Sequence, residues 1–424
     1  MSITGIKGMN DILPADVTTW QFLEQTARDV FGIYGCQEIR VPVVEKTELF
    51  CRSIGETTDI VEKEMYTFND KSDNSLTLRP EGTAPVMRSF IQHKLFNQDQ
   101  VNKLYYMGPM FRYERPQKGR YRQFHQIGAE IIGIDDPRID AQVLAMLSHY
   151  FEAVGIDDVS LQINSLGCPE CRPNYRATLI AFLQERMEQL CPDCQRRCAS
   201  NPLRVLDCKA KSCKEATIGA PSVLDHLCAG CETHFSAVQK HLDLIGTKYS
   251  INDRMVRGLD YYTKTTFEMI TNNLGSQNAV AAGGRYNGLV KELGGPALPG
   301  IGFAMGVERL ALLLENKEIN SATPKLFIAT MGEEAENLAF KLLNQLQHQG
   351  IYAEMDFSGK SLKAQLRRAD KLKCDYTLFL GENELADGKA QLKCMTDGKQ
   401  TALPLEGIFE QLSQLLDAQA TTSL

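Results

Sequence analysis

Arginines on or next to predicted strands are the residues of this chain best suited to bind phosphate. They are Arg79, Arg112, Arg257 and Arg285, with Arg309 at the start of a predicted helix. The planar guanidinium group matches phosphate oxygens and stays charged at any working pH. Spaced arginines of this kind favour a nucleoside triphosphate as ligand. Each could instead be a structural ion-pair partner, and for Arg79 and Arg285 that alternative stays open.

A glycine-rich strand, residues 300–306, predicts a bare surface beside these arginines. Alternation places its small residues on one face and its apolar residues on the other: Gly300, Gly302, Ala304 and Gly306 against Ile301, Phe303 and Met305. The bare face would let a flat group approach the backbone. The chain has neither a Gly-x-x-x-x-Gly-Lys-Ser/Thr loop nor a Gly-x-Gly-x-x-Gly after a first strand, which excludes the P-loop and Rossmann modes of phosphate binding.

Residues 108–130 predict an antiparallel hairpin with a long basic tip, because two β-forming segments flank a loop rich in Arg, Lys, Gly and Pro. Alternation puts polar side chains on one face of each strand: Arg112 and Glu114 on the first, Gln126 and Glu130 on the second. A polar strand face beside a basic loop is typical of a binding site. A solvated edge hairpin is the alternative, but Gly128 is expected to leave open space that an exposed strand would not need.

The elements that must position these residues fall into four segments. Residues 1–164 and 246–318 carry most of the strand signal and are predicted to form one core. Residues 165–245 are rich in cysteine and weak in strand signal, which predicts an inserted helical module. Beyond a polar linker, residues 325–424 alternate between strand and helix, which predicts a separate α/β domain with a mainly parallel sheet.

Two local predictions concern the core. A helix is predicted to run to about His93, with Thr83 as its N-cap and Pro85 in its first turn. Strand signal is predicted to return across residues 248–262.

Composition sets limits on the class of protein. The 424 residues are 43% hydrophobic and 23% charged, which is ordinary for a globular protein, and a net charge of −7 argues against non-specific polyanion binding by the surface as a whole. No apolar run reaches the length of a membrane span, and no secretory signal is visible, so a cytoplasmic location without membrane contact is expected. The odd number of cysteines, 13, disfavours a disulfide scaffold.

Three stretches, residues 35–42, 111–124 and 300–309, resemble motifs 1, 2 and 3 of class II aminoacyl-tRNA synthetases. Residues 256–262 (VRGLDYY) and 282–286 (AGGRY) resemble two signature stretches of the histidyl-tRNA synthetase family, and residues 77–83 fit as well. The resemblance covers nearly the whole chain and is poorest in the cysteine-rich window. It implies an α/β and α+β multidomain fold: an antiparallel sheet flanked by helices, a helical insertion and a C-terminal α/β anticodon-binding domain.

The resemblance also implies a reaction and its partners. L-histidine would attack the α-phosphate of ATP to give histidyl-adenylate, and the histidyl group would then move to the 3′ end of tRNA(His). Mg²⁺ is expected on the phosphates, and a homodimer is implied. The alternative is a non-catalytic regulatory subunit of ATP phosphoribosyltransferase. Such paralogues tend to lose the ATP arginines and the C-terminal domain, whereas Arg112, Arg309 and residues 325–424 are all here.

For ATP, the resemblance implies that Arg112 holds the α-phosphate and Arg309 the γ-phosphate, with adenine on the glycine face of residues 300–306. The complete set implied for ATP is Arg112, Glu114, Arg120, Phe124, Gly302, Gly306 and Arg309. The basic loop would lie near the acceptor end of the tRNA.

For histidine, the resemblance implies that Glu81, Thr83 and Gln126 receive the α-ammonium group, and that Glu130 and Tyr262 meet the two imidazole nitrogens, with Tyr261 beside them. Arg257 would lie over the carboxylate and the α-phosphate, where charge develops during adenylation. Arg257 and Arg112 are therefore the residues implied in catalysis. One departure is Asn287, where the family often carries Asp, which removes a charge next to the site.

Most of the cysteines fall between residues 168 and 231. Three Cys-x-x-Cys pairs, at 168/171, 191/194 and 228/231, have the spacing of zinc knuckles. The family resemblance implies no metal here. The sequence alone leaves structural zinc and free buried thiols as alternatives.

Overall fold

The computed structural model describes residues 3–55, 58–274, 278–319 and 322–417. The chain divides into two units, Met1–Ile319 and Asn320–Leu424. Within the described residues, no helix is long and apolar enough to cross a membrane.

The first unit holds eleven strands and eleven α-helices, besides four short 3-10 or π helices. Its strands are β1 (Gln37–Glu38), β2 (Val44–Lys46), β3 (Tyr66–Asn69), β4 (Ser75–Leu78), β5 (Asn102–Phe111), β6 (Gln123–Ile132), β7 (Ser160–Ser165), β8 (Ser250–Ile251), β9 (Thr263–Ile270), β10 (Ala279–Arg285) and β11 (Gly300–Gly306). Its helices are α1 (Pro14–Ile33), α2 (Thr47–Ile54), α3 (Thr83–Gln92), α4 (Pro137–Ala153), α5 (Arg172–Gln184), α6 (Pro192–Ser200), α7 (Leu203–Leu206), α8 (Lys211–Ala216), α9 (Ala229–Leu244), α10 (Leu289–Glu292) and α11 (Val307–Leu313). These counts refer to the described part of the unit.

An eight-stranded sheet in the order β1-β5-β6-β11-β10-β9-β7-β8 is the framework of this unit. Its central pairs are antiparallel, and only the outer pairs β1–β5 and β7–β8 are parallel. The apolar face of β11 packs with α1, α4 and α9 in one core, in which Ile301, Phe303 and Met305 are buried. This confirms the alternation predicted for β11. The opposite face of the sheet carries the polar residues.

The predicted hairpin is confirmed and is longer than the sequence indicates. Strands β5 and β6 pair without a break from Asn102↔Ile132 to Phe111↔Gln123. The tip begins where the Arg112 N–H donates to the Arg122 carbonyl at 2.9 Å.

The start of α3 differs from the sequence prediction. Its N-cap is Gly82, not Thr83, and the carboxylate of Glu81 accepts the backbone N–H groups of Thr83 and Ala84 at 2.7 and 2.8 Å. A carboxylate reaches two of the free N–H groups of the first turn, whereas a hydroxyl reaches one. The hydroxyl of Thr83 is therefore available to another partner.

The strand predicted across residues 248–262 is wrong for most of its length. Only Ser250–Ile251 pairs as β8. Asn252 ends the pairing, because its side chain and backbone organise a turn: the Met255 N–H donates to the Asn252 carbonyl at 3.0 Å, and the Arg254 N–H donates to Asn252 Oδ1 at 3.1 Å. The residues that follow form a loop over the polar face of the sheet.

The second unit is an α/β domain with a mixed sheet in the order β13-β12-β14-β15-β16. Its elements are β12 (Leu326–Thr330), α12 (Glu333–His348), β13 (Ala353–Met355), α13 (Leu362–Lys371), β14 (Tyr376–Leu380), α14 (Glu382–Ala386), β15 (Lys389–Cys394), β16 (Gln400–Pro404) and α15 (Ile408–Asp417). The mainly parallel sheet of the prediction is wrong, because β14, β15 and β16 pair antiparallel. Strand β16 was not predicted; Gly398, at φ +73°, makes the tight turn that returns it onto β15.

A buried charge network joins the sheet to the helices that cover it. Arg285 of β10 and Asp140 of α4 are both fully buried, and the Arg285 Nε–H donates to Asp140 Oδ1 at 2.8 Å. Thr265 donates to the same carboxylate at 2.6 Å, and His234 of α9 lies 2.9 Å from it. Burial acts to raise the pKa of Asp140, but His234 and Arg285 outweigh it and lower the pKa. Arg285 is therefore structural.

Replacing Arg285 by alanine is expected to lower the free energy of unfolding by about 3–5 kcal/mol, because it leaves Asp140 charged and buried. Arg138→Ala is the matched control: its pairing with Asp136 is exposed, so little or no change in the free energy of unfolding is expected. Chemical denaturation of both variants measures this. Equal losses would contradict the structural role of Arg285.

Candidate active site

A cavity opens on the polar face of the eight-stranded sheet, between β6, β10, β11, the hairpin tip and the loop before β9. It is lined by twelve of the residues that the sequence singled out: Glu81, Thr83, Arg112, Glu114, Arg120, Phe124, Gln126, Arg257, Tyr261, Tyr262, Gly306 and Arg309. Glu130 and Gly302 lie behind this lining.

The five arginines divide into two groups. Arg112, Arg257 and Arg309 line the cavity. Arg79 instead donates to the backbone carbonyls of Pro109 and Val41 at 2.8 and 2.9 Å, and Arg285 pairs with Asp140. Arg79 and Arg285 are therefore structural residues, which is the alternative that the sequence left open. The partners of Arg79 are backbone carbonyls, however, and not the carboxylate of an ion pair.

Arg112 is fixed at the mouth of the hairpin. Its Nε–H donates to the Pro80 carbonyl at 2.9 Å, and its guanidinium lies 5.3 Å from the centre of the Phe124 ring. Glu114 lies 3.9 Å from Arg112 and 2.9 Å from Arg120. These contacts hold two guanidinium groups against one carboxylate, so the cluster keeps an excess of positive charge.

Arg309 extends the positive cluster toward the hairpin tip. It donates to the backbone carbonyls of Gly119 and Ala279. Burial and the positive charge of Arg120 lower its pKa. Lys209, from the inserted module, was not predicted; burial and Arg120 lower its pKa too. Cations that depress one another's pKa values are typical of a site built for a polyanion.

The open glycine floor is shorter than the sequence predicts. A Cβ at Gly300 would lie 2.2 Å from the Tyr286 ring, and a Cβ at Gly302 would lie 1.8 Å from Glu130 Oε2. These two glycines make room for protein side chains, so the expectation that they form an open floor is wrong. At Gly306 the nearest atom to a Cβ is a carbon of Arg309 at 3.8 Å. The bare surface is therefore limited to the Gly306 end of β11.

Gly128 also has a different purpose from the one predicted. A Cβ there would lie 2.5 Å from the hydroxyl of Tyr106, so the ring of Tyr106 fills the space that was expected to be open. Tyr106 is almost fully buried. Tyr106 is the cross-strand partner of Gly128, and the pattern of either strand alone does not specify the register that brings the two together.

Glu130 is fully buried beneath the cavity. Its carboxylate accepts hydrogen bonds from the Thr83 hydroxyl at 2.6 Å and from the Tyr286 hydroxyl. Burial raises its pKa to about 8, against the opposing effect of these two hydrogen bonds. Thr83 therefore stands between Glu130 and the cavity. Tyr286, which the site residues predicted from the sequence do not include, lies within the signature stretch at 282–286.

Arg257 lies on the loop before β9 and forms an ion pair with Glu268, a partner not predicted from the sequence. Its guanidinium is 5.6 Å from the centre of the Tyr262 ring. Burial acts to lower the pKa of Arg257, but Glu268 outweighs it and raises the pKa. The side chain is thus held charged and fixed.

Three buried side-chain polar atoms of the described residues have no hydrogen-bond partner: Tyr106 Oη, Gln126 Oε1 and Arg257 Nε. Such atoms cost about 1–3 kcal/mol each when they stay unpaired. Gln126 and Arg257 line the cavity, and Tyr106 packs against the strand that carries Gln126. An acceptor and a donor left free at one cavity indicate that a polar ligand completes them.

Asn287 lies outside the cavity lining. Its amide donates to Asp135 Oδ1 at 3.1 Å, and its carbonyl oxygen lies 3.4 Å from Arg285. The neutral amide that stands where the family often carries Asp therefore lies beside the structural residue Arg285 and not beside the cavity.

Comparison with known proteins identifies the family to which this chain is similar. The family model described as histidyl-tRNA synthetase matches residues 8–310, and the model described as anticodon binding domain matches residues 325–415. A curated protein of Syntrophotalea carbinolica is 69% identical over 412 residues, covering 97% of this chain and 98% of its own, and one of Geobacter sulfurreducens is 65% identical over 403 residues, covering 95% and 97%. Both are named histidine–tRNA ligase.

Solved structures agree with the family models. The apo histidyl-tRNA synthetase of S. aureus is 39% identical, with a TM-score of 0.82, covering 97% of this chain and 100% of its own. A protein of Bacillus halodurans C titled as ATP phosphoribosyltransferase regulatory subunit/histidyl-tRNA synthetase has a TM-score of 0.65 at 19% identity, covering 90% and 99%. At that identity the likeness shows the fold alone, so it does not favour the regulatory alternative.

The antiparallel sheet, the arginine-lined cavity and the C-terminal domain define a class II aminoacyl-tRNA synthetase. Within that class, the chain belongs to the histidyl-tRNA synthetase family.

Proposed function

We propose that this chain activates L-histidine with ATP and transfers the histidyl group to the 3′ end of tRNA(His). The observation that carries the proposal is the cavity itself, which is lined by Arg112, Arg257 and Arg309 together with Gln126, whose buried Oε1 has no hydrogen-bond partner among the described residues. The chain's place among histidine–tRNA ligases supports the same reaction. The regulatory alternative is disfavoured because the ATP arginines and the C-terminal domain are all present.

In the first step, a carboxylate oxygen of histidine attacks the α-phosphorus of ATP while the bond to the bridging oxygen breaks, which releases pyrophosphate. We assign Arg112 to the α-phosphate and Arg309 to the γ-phosphate. Adenine is assigned to the Gly306 end of β11 and to the Phe124 side of the hairpin, since Gly302 lies behind the lining. No side-chain nucleophile is needed, so the residues act by positioning and electrostatic stabilisation.

Arg257 is assigned to the carboxylate of histidine and to the α-phosphate. Its buried Nε–H has no hydrogen-bond partner among the described residues, and the ion pair with Glu268 fixes the position of the charged guanidinium. Negative charge grows on the α-phosphate oxygens during attack, so a fixed cation at this point lowers the barrier.

Histidine recognition is assigned to Glu81, Thr83 and Gln126 at the α-ammonium group and to Glu130 and Tyr262 at the ring. The free Gln126 oxygen supports its role as an acceptor. Because Thr83 covers Glu130 in the structure, we propose that the ring reaches Glu130 after the Thr83 hydroxyl turns away. Tyr261 packs on Tyr262 with ring centres 4.6 Å apart and fixes its position.

Mg²⁺ is proposed as the partner of the ATP phosphates, and the donor chemistry of the cavity fits it. Of the lining carboxylates, Glu81 caps α3 and Glu308 accepts from His125. We assign the ion to Glu114, which lies beside the phosphate-binding arginines and pairs with Arg112 and Arg120 in the structure. One carboxylate together with phosphate oxygens is a common Mg²⁺ environment. When bound, the ion would neutralise charge on the phosphates.

We also propose a homodimer and a cytoplasmic location. Exposed apolar side chains support a self-association surface: Ile33 and Val44 flank motif 1 in the chain, and Phe68 lies in the same three-stranded sheet as Val44. We propose that residues 1–164 and 246–318 form the catalytic core, that residues 165–245 form the insertion and that residues 325–424 form the anticodon-binding domain. The cytoplasmic location follows from the proposed reaction, because ribosomes use charged tRNA in the cytoplasm.

Neutralising the exposed part of the hairpin tip is expected to weaken tRNA binding. Arg120 lies in the cavity with Glu114, so Arg115 and Lys118 are the exposed candidates, with the Lys118 side chain 72% exposed. Arg115→Ala with Lys118→Ala is expected to raise the KM for tRNA about tenfold and to flatten its salt dependence. Lys71→Ala, exposed on the same unit, is the control. Unchanged tRNA charging would refute this assignment of the tip.

Charging of a tRNA(His) transcript with radiolabelled histidine tests the proposed function. Charging that requires both ATP and histidine, and that no other tRNA supports, is the expected result. No charging, together with co-purification of a phosphoribosyltransferase, would favour the regulatory alternative.

A further inference from the structure

The inserted module carries two clusters of four cysteines, and the catalytic reaction described above uses neither. The entry cluster is Cys168, Cys171, Cys228 and Cys231; the inner cluster is Cys191, Cys194, Cys208 and Cys213. Within each cluster the sulfur atoms all lie within 4.8 Å of one another. We propose that each cluster binds one structural zinc ion through its four thiolates.

The sulfur spacing of the entry cluster fits a tetrahedral ion. Cys168 Sγ lies 3.7 Å from the Sγ atoms of Cys171 and Cys228, and Cys171 Sγ lies 3.9 Å from Cys231 Sγ. Four sulfurs at about 2.3 Å from a tetrahedral zinc are about 3.8 Å apart. The backbone N–H of Cys168 donates to Cys171 Sγ at 3.1 Å, which favours the thiolate that zinc requires.

The inner cluster repeats this arrangement with different spacing along the chain. Cys191 Sγ lies 3.9 Å from Cys208 Sγ, and the Cys191 N–H donates to Cys213 Sγ at 3.1 Å. The second half of this cluster, Cys208 and Cys213, lacks the Cys-x-x-Cys spacing, so the sequence could not indicate which pair completes which site. The tertiary structure pairs 168/171 with 228/231 and leaves 191/194 to the inner cluster.

The positions of the two clusters explain what an ion would stabilise. The entry cluster joins the start of α5 to the start of α9, since Cys171 and Cys228 are their N-caps; it closes the module where the chain leaves and rejoins the large sheet. The inner cluster joins α6 to the short α8. Helices of this length are marginal without additional bonds, and a small core is commonly stabilised by a metal.

The entry cluster is also connected to the cavity. Arg172, next to Cys171, donates to the carbonyl of Tyr262 and to that of Leu166 at 3.3 Å. A Cβ at Gly167 would lie 2.6 Å from Cys171 Sγ. Arg172 supplies positive charge beside four thiolates, and its contact places the backbone of a proposed histidine-binding residue. Loss of this ion is therefore expected to raise the KM for histidine.

The inner cluster faces a different part of the catalytic unit. Arg197, one turn after Cys194, donates to both oxygens of Asp59 at 3.0 and 2.8 Å. Asn201 donates to Asp260 at 3.1 Å. The first contact docks the module on the residue before the helical turn Ile60–Glu64, and the second docks it on the loop that carries Arg257.

Metal content of the full-length chain tests the proposal. Wild-type protein, purified with zinc in the medium, is expected to contain two zinc ions per chain by elemental mass spectrometry, and Co²⁺ exchange is expected to give the visible bands of tetrahedral thiolate-bound cobalt. Cys171→Ser and Cys194→Ser are each expected to contain one. Cys198→Ser is the matched control, because Cys198 is buried on α6 but belongs to neither cluster; it is expected to keep two.

A thiol reagent provides a test on the wild-type chain that needs no variant to fold. Titration is expected to release zinc in step with modification of the clustered thiols, while Cys36 and Cys374, buried elsewhere, react without release. Wild-type protein free of zinc that also fails to take up Co²⁺ would overturn the proposal. So would recovery of the clusters as disulfides, or equal zinc loss in Cys198→Ser.

Discussion

Replacing Arg257 by alanine is expected to lower the rate of histidyl-adenylate formation about 10²–10³-fold, while histidine binding weakens much less. The reason is that Arg257 is a fixed, buried cation with a free Nε–H in the cavity, at the point where charge develops in the proposed transition state. Removing one preorganised donor from such a position costs about 2.7–4 kcal/mol. Single-turnover kinetics measures the rate of histidyl-adenylate formation, and calorimetric titration measures the affinity for histidine. Together they separate the two effects.

Two further variants control for structural damage. Arg257→Gln keeps a donor toward Glu268 and is expected to fold as the wild type while losing most of the rate. Arg254→Ala removes the same side chain three positions earlier on the loop, where it contacts the Thr217 carbonyl, and is expected to keep the rate within about threefold. Comparable losses of rate and of histidine affinity in Arg257→Ala would count against its role.

Replacing Glu130 by glutamine is expected to lower kcat/KM for histidine about a thousandfold. The variant keeps the size of the side chain but cannot carry the negative charge that would pair with the imidazole ring. Most of the loss is expected in the KM for histidine, with the KM for ATP unchanged. Glu315→Gln is the charge-matched control, because Glu315 is exposed and pairs with Lys118 at the surface.

The same variant gives a test in the absence of substrate. Burial raises the pKa of Glu130 in the folded chain to about 8, from an ordinary value of 4.5. The folded state therefore binds more protons than the unfolded state between these values, and this carboxyl's contribution to stability is lost as the pH rises through that window. Glu130→Gln is expected to gain about 2 kcal/mol relative to wild type between about pH 6 and pH 8. A pH-independent difference would contradict the protonated, buried state.

Local sequence patterns predicted the parts of the fold that depend on residues close together in the chain. Alternation placed Ile301, Phe303 and Met305 in the core, and the composition of residues 108–130 predicted the hairpin. The same patterns misjudged Gly128 and Gly302, because the side chains that fill their space, Tyr106 and Glu130, come from other strands.

Charge alone could not divide the arginines between site and scaffold. Arg285 and Arg309 have the same chemistry, but only the packing of α4 brings Asp140 to Arg285. Thr83 shows the same limit: its position before a helix predicts an N-cap, whereas the N-cap is Gly82. The Glu81 carboxylate supplies the capping hydrogen bonds, because it reaches two N–H groups. Partners distant in sequence decided each of these cases.

Histidine-dependent exchange of pyrophosphate into ATP, measured separately with each of the twenty amino acids, tests the central claim most directly. Rapid exchange with histidine, background exchange with the other nineteen, and loss of exchange in Arg257→Ala are expected. Exchange with no amino acid, or equal exchange with several, would contradict the assignment of this cavity to histidine activation.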